Sequence, residues 1–231
     1  MIKSSAMINR QGIFVAQKVY NTVIVKQYKG EIIMLKKNET ALLIIDMQYG
    51  GGAPDGSLVK MLNVDVTKQE DIVTPMVKLK DYFNENGMLV VNVKTEYEED
   101  FRDWKMLDER FEVKKHKHFV KGTLDAEIIP PLAPREGEEL IIKNRWNAFF
   151  NTKLDELLKN KNITNLIIVG AATDVCVFET CSHAFSLNYN CIVPIETTAS
   201  FNAERKKMGL EMLGFGRSKV VNVEEVYKMF E

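Results

Sequence analysis

The chain is poor in the residues that staple or metallate small folds: 231 residues include three cysteines and three histidines. An odd set, Cys176, Cys181 and Cys191, matches no disulfide framework, and a chain of this length can bury a core without one. That usage predicts a reducing, cytoplasmic setting. His116, His118 and His183 form no recognised metal motif, so neither a metal nor another cofactor is expected. No apolar run approaches the roughly 20 residues of a membrane-spanning helix, so no membrane partner is expected. Residues 1–11 carry charges and no apolar stretch ending in small residues, which predicts no secretory signal. Charge of neither sign is in excess: 31 Lys and Arg face 32 Asp and Glu, for a net charge of −1. Without a basic field, nucleic acid is not an expected partner. Internal repeats and low-complexity tracts are also missing.

What is present is an alternation of short apolar runs and amphipathic stretches. Residues 41–45 (Ala-Leu-Leu-Ile-Ile) form a continuous apolar run, as in a parallel strand buried on both faces. Residues 88–93, 140–142, 166–169, 191–195 and 220–221 repeat that signal. Between them, residues 72–86 carry apolar side chains at helical spacing, with Gly87 suited to the position just past the helix. Further helices are expected from Thr152 as N-cap, from Cys176, over 202–213 and over 223–230. Residues 50–56, rich in glycine, read as a loop. Residues 95–137 are charged, aromatic and irregular, and a segment that long without periodicity is more often functional than a plain connector. The pattern predicts a three-layer α/β/α, Rossmann-like fold with a mostly parallel sheet of about six strands. Residues 1–37 differ: they are β-prone and read as an N-terminal extension, an arm or hairpin, ahead of a domain spanning 38–231.

Three residues stand where chemistry is expected. Asp46 and Lys143 each directly follow an apolar strand, and Cys176 follows the strand 166–169 at a helix start. In an open parallel sheet the C-terminal strand ends gather on one edge, where ligands bind. Unpaired N–H groups and the helix dipole favour a thiolate at such a position. Asp46 would then be a general base and Lys143 a cation stabilising the other two. Taken singly, Asp46 could cap a loop and Lys143 could be a solvated edge residue; their shared edge argues for function. Cys181 and Cys191 read as core. Gln48 and Thr173, beside these residues, could bond a ligand amide or simply cap locally, and Trp146 could wall a pocket or pack in the core. Arg102, Trp104 and Arg110 could hold a carboxylate, but a solvated charged loop is the simpler account.

With Ala41-Leu42-Leu43-Ile44-Ile45-Asp46-Met47-Gln48, the segment Lys143-Asn144-Arg145-Trp146-Asn147 and the run Gly170-Ala171-Ala172-Thr173-Asp174-Val175-Cys176-Val177 in this order, the chain resembles the isochorismatase-like cysteine hydrolases. Gly122-Thr123, 127–130 and 197–201 add to the likeness, which runs from about residue 38 to the C-terminus. The resemblance implies a triad of Asp46, Lys143 and Cys176, a cis peptide between Ala171 and Ala172, and an oxyanion hole from the Ala172 and Cys176 N–H groups. It implies a hydrolase that cleaves a C–N bond of a small amide or ureido compound through a thioester, in a homodimer or homotetramer. Family members that bind a metal carry histidines after the second strand; here that stretch, 94–100, has none. Two alternatives remain: a vinyl ether hydrolase of the isochorismatase type, and a catalytically idle binding or scaffold member.

Overall fold

A computed structural model describes residues 33–63 and 71–231. The expected N-terminal arm therefore lies outside the described residues except for its last few. Of these, Leu35 is buried and its N–H donates to the Met229 carbonyl, joining this stretch to the C-terminal helix.

Seven strands form one sheet: β1 Thr40–Ile45, β2 Leu89–Thr95, β3 Glu139–Lys143, β4 Asn165–Ala171, β5 Asn190–Pro194, β6 Thr198–Ala199 and β7 Lys219–Val221. The order is β3-β2-β1-β4-β5-β7, with β6 beside the end of β4, and every pairing is parallel. The chain winds outward from β1 to β3, returns to the centre, and winds the other way from β4. The order thus reverses between β1 and β4, and the crevice at such a point is where an open α/β sheet binds ligands.

The apolar runs form strands because both faces of the sheet are covered. Along β1, Ala41, Leu43 and Ile45 enter one core, while Leu42 and Ile44 enter the other. The first core packs under helices Leu154–Asn160 and Phe178–Ser186 and holds Cys181 and Cys191, both free thiols. The second packs under helices Val73–Glu85 and Val223–Lys228. A third, smaller cluster of Tyr97, Phe101, Leu107, Val113, Phe119, Val120 and Ala126 lies in the long segment after β2.

Three local expectations change. Residues 50–56 are not simply a loop: Tyr49–Gly52 forms one helical turn and Ser57–Leu62 a second short helix. Gly50 leaves room for the Asp125 carboxylate, which a Cβ there would displace. The helix expected from Thr152 begins at Leu154, although the Thr152 hydroxyl does accept from the Leu154 N–H at 3.2 Å. The sheet gains β6, whose two residues carry no pattern.

Candidate active site

The register of the sheet assembles the site. Thr95 and Lys143 are paired across β2 and β3, and Ile45 is paired with Val93 and with Gly170. The last residues of four adjacent strands therefore share one edge. Asp46 leaves β1 with φ of +51°, a left-handed conformation that aspartate tolerates better than most residues. Gly170 has φ of +115°, and a Cβ there would stand 2.0 Å from the Ile45 carbonyl, so β1 and β4 approach this closely only with glycine. The next peptide, Ala171–Ala172, is cis. Thr173–Val177 then forms a single π-helical turn, in which the Ala172 carbonyl accepts from the Val175 and Val177 N–H groups, before the helix proper begins at Phe178. Cys176 sits in that turn.

Lys143 is the hub. Its Nζ donates to Asp46 Oδ2 at 2.7 Å, to Thr95 Oγ1 at 2.7 Å and to the Arg145 carbonyl at 2.9 Å. The Cys176 Sγ lies 3.8 Å away. Thr95 Oγ1 in turn donates to Asp46 Oδ1 at 3.0 Å, so both carboxylate oxygens are held. Burial pulls Lys143 down, but the Asp46 carboxylate and Cys176 outweigh it and leave the ammonium above its ordinary range. Cys176 goes the other way from the expected thiolate. It is half-buried, and burial pushes its thiol well above the usual value; Lys143 pulls it down, while Asp46 pushes it up again. A carboxylate already occupies the ammonium, so the resting set is carboxylate, ammonium and neutral thiol.

The edge opens into a cavity of about 240 Å³ lined by Asp46, Thr95, Ala172, Cys176 and Trp146 among others. Trp146 meets Trp104 edge to face, with ring centroids 5.4 Å apart. Gln48 and Thr173 are not among the lining residues. Gln48 is committed to the backbone: its Nε2 donates to the Thr95 and Ala126 carbonyls and its Oε1 accepts from the Thr95 N–H, tying β2 to the segment over the site. Thr173 is fully buried, and its hydroxyl lacks a partner among the described residues. Arg102 is exposed and paired with Glu98, and Arg110 is exposed, so neither faces the cavity.

Sequence reasoning missed three residues that line the cavity. Thr95 was findable, since it ends its strand as Lys143 does. His118 lines the cavity, although its position in the sequence gave no sign of it. Its Nδ1 lies 2.7 Å from Ser57 Oγ, and that hydroxyl donates to Asp125 Oδ2 at 2.6 Å. One hydroxyl proton cannot serve both neighbours, so the Nδ1–H of a neutral imidazole donates to Ser57. Burial pushes His118 down to about 4, which fits that neutral state. Arg205, from the helix Ala203–Gly214, reaches the rim and pairs with Asp174. Among the described residues no three His, Cys, Asp or Glu side chains converge as a metal site requires.

A doubly wound α/β fold with a cysteine, a lysine and an aspartate at its switch point defines a class of small-molecule hydrolases. Within that class, the sequence model of the Isochorismatase domain matches residues 40–225, and the chain belongs to this family as an isochorismatase-like hydrolase. It is 30% identical over 174 residues to the ureidoacrylate amidohydrolase RutB of Agrobacterium fabrum, covering 70% of this chain and 76% of that protein. Among solved structures, a cysteine hydrolase from Pseudomonas syringae pv. phaseolicola superimposes with a TM-score of 0.77 at 22% identity, over 87% of this chain and 97% of the other. The N-carbamoylsarcosine amidase of Thermoplasma acidophilum does so with a TM-score of 0.64 at 22% identity, over 80% and 97%.

Proposed function

We propose that this protein hydrolyses the C–N bond of a small amide or ureido compound, with Cys176 as nucleophile. The observation that carries the reading is the placement of Cys176 Sγ 3.8 Å from a Lys143 ammonium that is itself bound to Asp46. Asp46 takes the thiol proton as Sγ attacks the carbonyl, and the Ala172 and Cys176 N–H groups receive the developing oxyanion. Collapse releases ammonia or an amine, which leaves with the proton that Asp46 had taken. Asp46 then activates water, and the thioester is hydrolysed to the acid. Lys143 orients the Asp46 carboxyl group and offsets charge on sulfur. The amidohydrolase relatives support the reaction class, since ureidoacrylate amidohydrolase and N-carbamoylsarcosine amidase are C–N hydrolases by name.

The test is ammonia release from a panel of amides and ureido acids by the wild-type chain and by Cys176→Ala. Release should fall to background in the variant, and intact-mass spectrometry of quenched wild-type enzyme should show an acyl adduct on Cys176. Undiminished release from the variant would remove Cys176 from the reaction.

A further inference from the structure

Much of the cavity wall is apolar, contributed by Leu58, Met61, Leu107, Phe111, Trp146 and Phe201. Apolar lining is common in ligand sites and by itself selects little; the charges decide. Two cations stand at or beside this cavity among the described residues. Lys143 is bound to Asp46 at 2.7 Å. Arg205 is bound to Asp174, with Nε at 2.6 Å and Nη2 at 2.5 Å from the same carboxylate oxygen, and its guanidinium lies over the Phe201 ring, 4.9 Å from the centroid. The second oxygen of Asp174 accepts from Ser200. Asp174 is in turn fixed from behind, where Gly209 packs against its Cα and Cβ. Arg145, the next nearest guanidinium in sequence to Lys143, is spent on the Asn144 and Asp103 carbonyls. Among the described residues Arg205 is thus the one Lys or Arg that lines the cavity, and a carboxylate already holds it.

We infer that the substrate is an uncharged primary amide with an apolar acyl group, and that the Arg205–Asp174 pair excludes acyl groups ending in a carboxylate. The inference rests on the amidohydrolase reading and names the substrate class for that site. A carboxylate entering against Leu107, Phe111 and Trp146 would lose its hydration and find the one Lys or Arg that lines the cavity among the described residues, Arg205, already paired with Asp174. An alkyl group of the same shape loses only water from apolar surface.

The experiment compares two isosteres, 4-methylpentanamide and succinamate, which differ in an isopropyl group against a carboxylate. Wild type should turn over 4-methylpentanamide with kcat/KM at least about 100-fold higher. In Asp174→Asn, which releases the guanidinium, that ratio should shrink at least about tenfold through a gain in succinamate turnover. Equal or preferred turnover of succinamate by wild type would overturn the inference and leave the hydrolase reading standing. Where neither compound gives ammonia above the Cys176→Ala control, the hydrolase reading is decided by the wider panel of amides and ureido acids. Selectivity is then read from alkylation: protection of Cys176 from iodoacetamide by the amide alone supports the inference, and protection by both or by neither overturns it.

Discussion

At the scale of single residues, the site is governed by who holds the proton between Asp46 and Cys176. Asp46 is one of the causes that keep the thiol protonated, so it should oppose ionisation of Cys176 and yet be needed for turnover. Asp46→Asn separates the two. The pH at which iodoacetamide alkylates Cys176 should move down relative to wild type, because Lys143 then has only sulfur to neutralise. Amide hydrolysis should fall roughly 10²–10⁴-fold as the general base is lost. An alkylation profile that moves up would show that Asp46 promotes the thiolate, contrary to the geometry. The convergence of Asp46, Lys143 and Cys176 was legible in the sequence because each directly follows a strand or lies at a helix start. The protonation state was not, since the helix-start argument ignores both burial and a carboxylate brought in from 130 residues earlier.

At the scale of elements, strands were readable where both faces are buried and unreadable where pairing is imposed by neighbours. β1 and β4 contain continuous apolar runs, residues 41–45 and 166–169, whereas β6 is two residues, Thr198 and Ala199, held beside β4 only by its position in the chain. The helical turn Tyr49–Gly52 was invisible for a related reason: three glycines argue against a helix, and contacts such as the Tyr49 N–H donating to the Glu127 carbonyl override that propensity. Buried Lys80 was equally hidden inside an amphipathic pattern. Its Nζ lies 2.9 Å from Glu138 Oε2 and also donates to the Leu132 and Ala133 carbonyls, clamping the turn before β3 onto helix Val73–Glu85. Both side chains are almost fully covered, so Lys80→Met should destabilise the fold by about 3–5 kcal/mol, leaving Glu138 charged without its partner. Urea unfolding reads this directly. Lys80→Met with Glu138→Gln should recover part of the loss, and a neutral single variant would show that the clamp contributes nothing.

At the scale of the whole molecule, the sheet and its two cores carry the fold, while a separate aromatic cluster roofs the site. The roof is fastened at Asp125, which accepts from the Ser57 and Phe119 N–H groups and from the Ser57 hydroxyl beside His118. This fastening should be acid-sensitive. A histidine pushed down to about 4 when folded binds fewer protons than its unfolded counterpart, whose value is near 6.5. Its neutral form therefore carries no penalty above pH 6.5. Stability should be lost as pH falls from there toward 4, by roughly 3 kcal/mol if the roof unfolds with the rest. Denaturation midpoints between pH 7 and 4.5 check this, with tryptophan emission as a local reporter, since Trp104 and Trp146 pack against the cluster. The decline should be smaller in His118→Gln, and identical slopes would assign the acid sensitivity elsewhere.

A carboxylate, an ammonium and a thiol buried together have no monopole. The rings of Tyr97, Phe119 and Trp146 can therefore close over the sheet edge without the Born cost that a net charge would impose there. In the proposed reaction a proton passes from sulfur to Asp46 and on to the departing nitrogen, so the set with its bound substrate stays without net charge. Ionic strength should accordingly bear little on the chemical step, because bulk salt screens the long-ranged field of a net charge and these groups together have none.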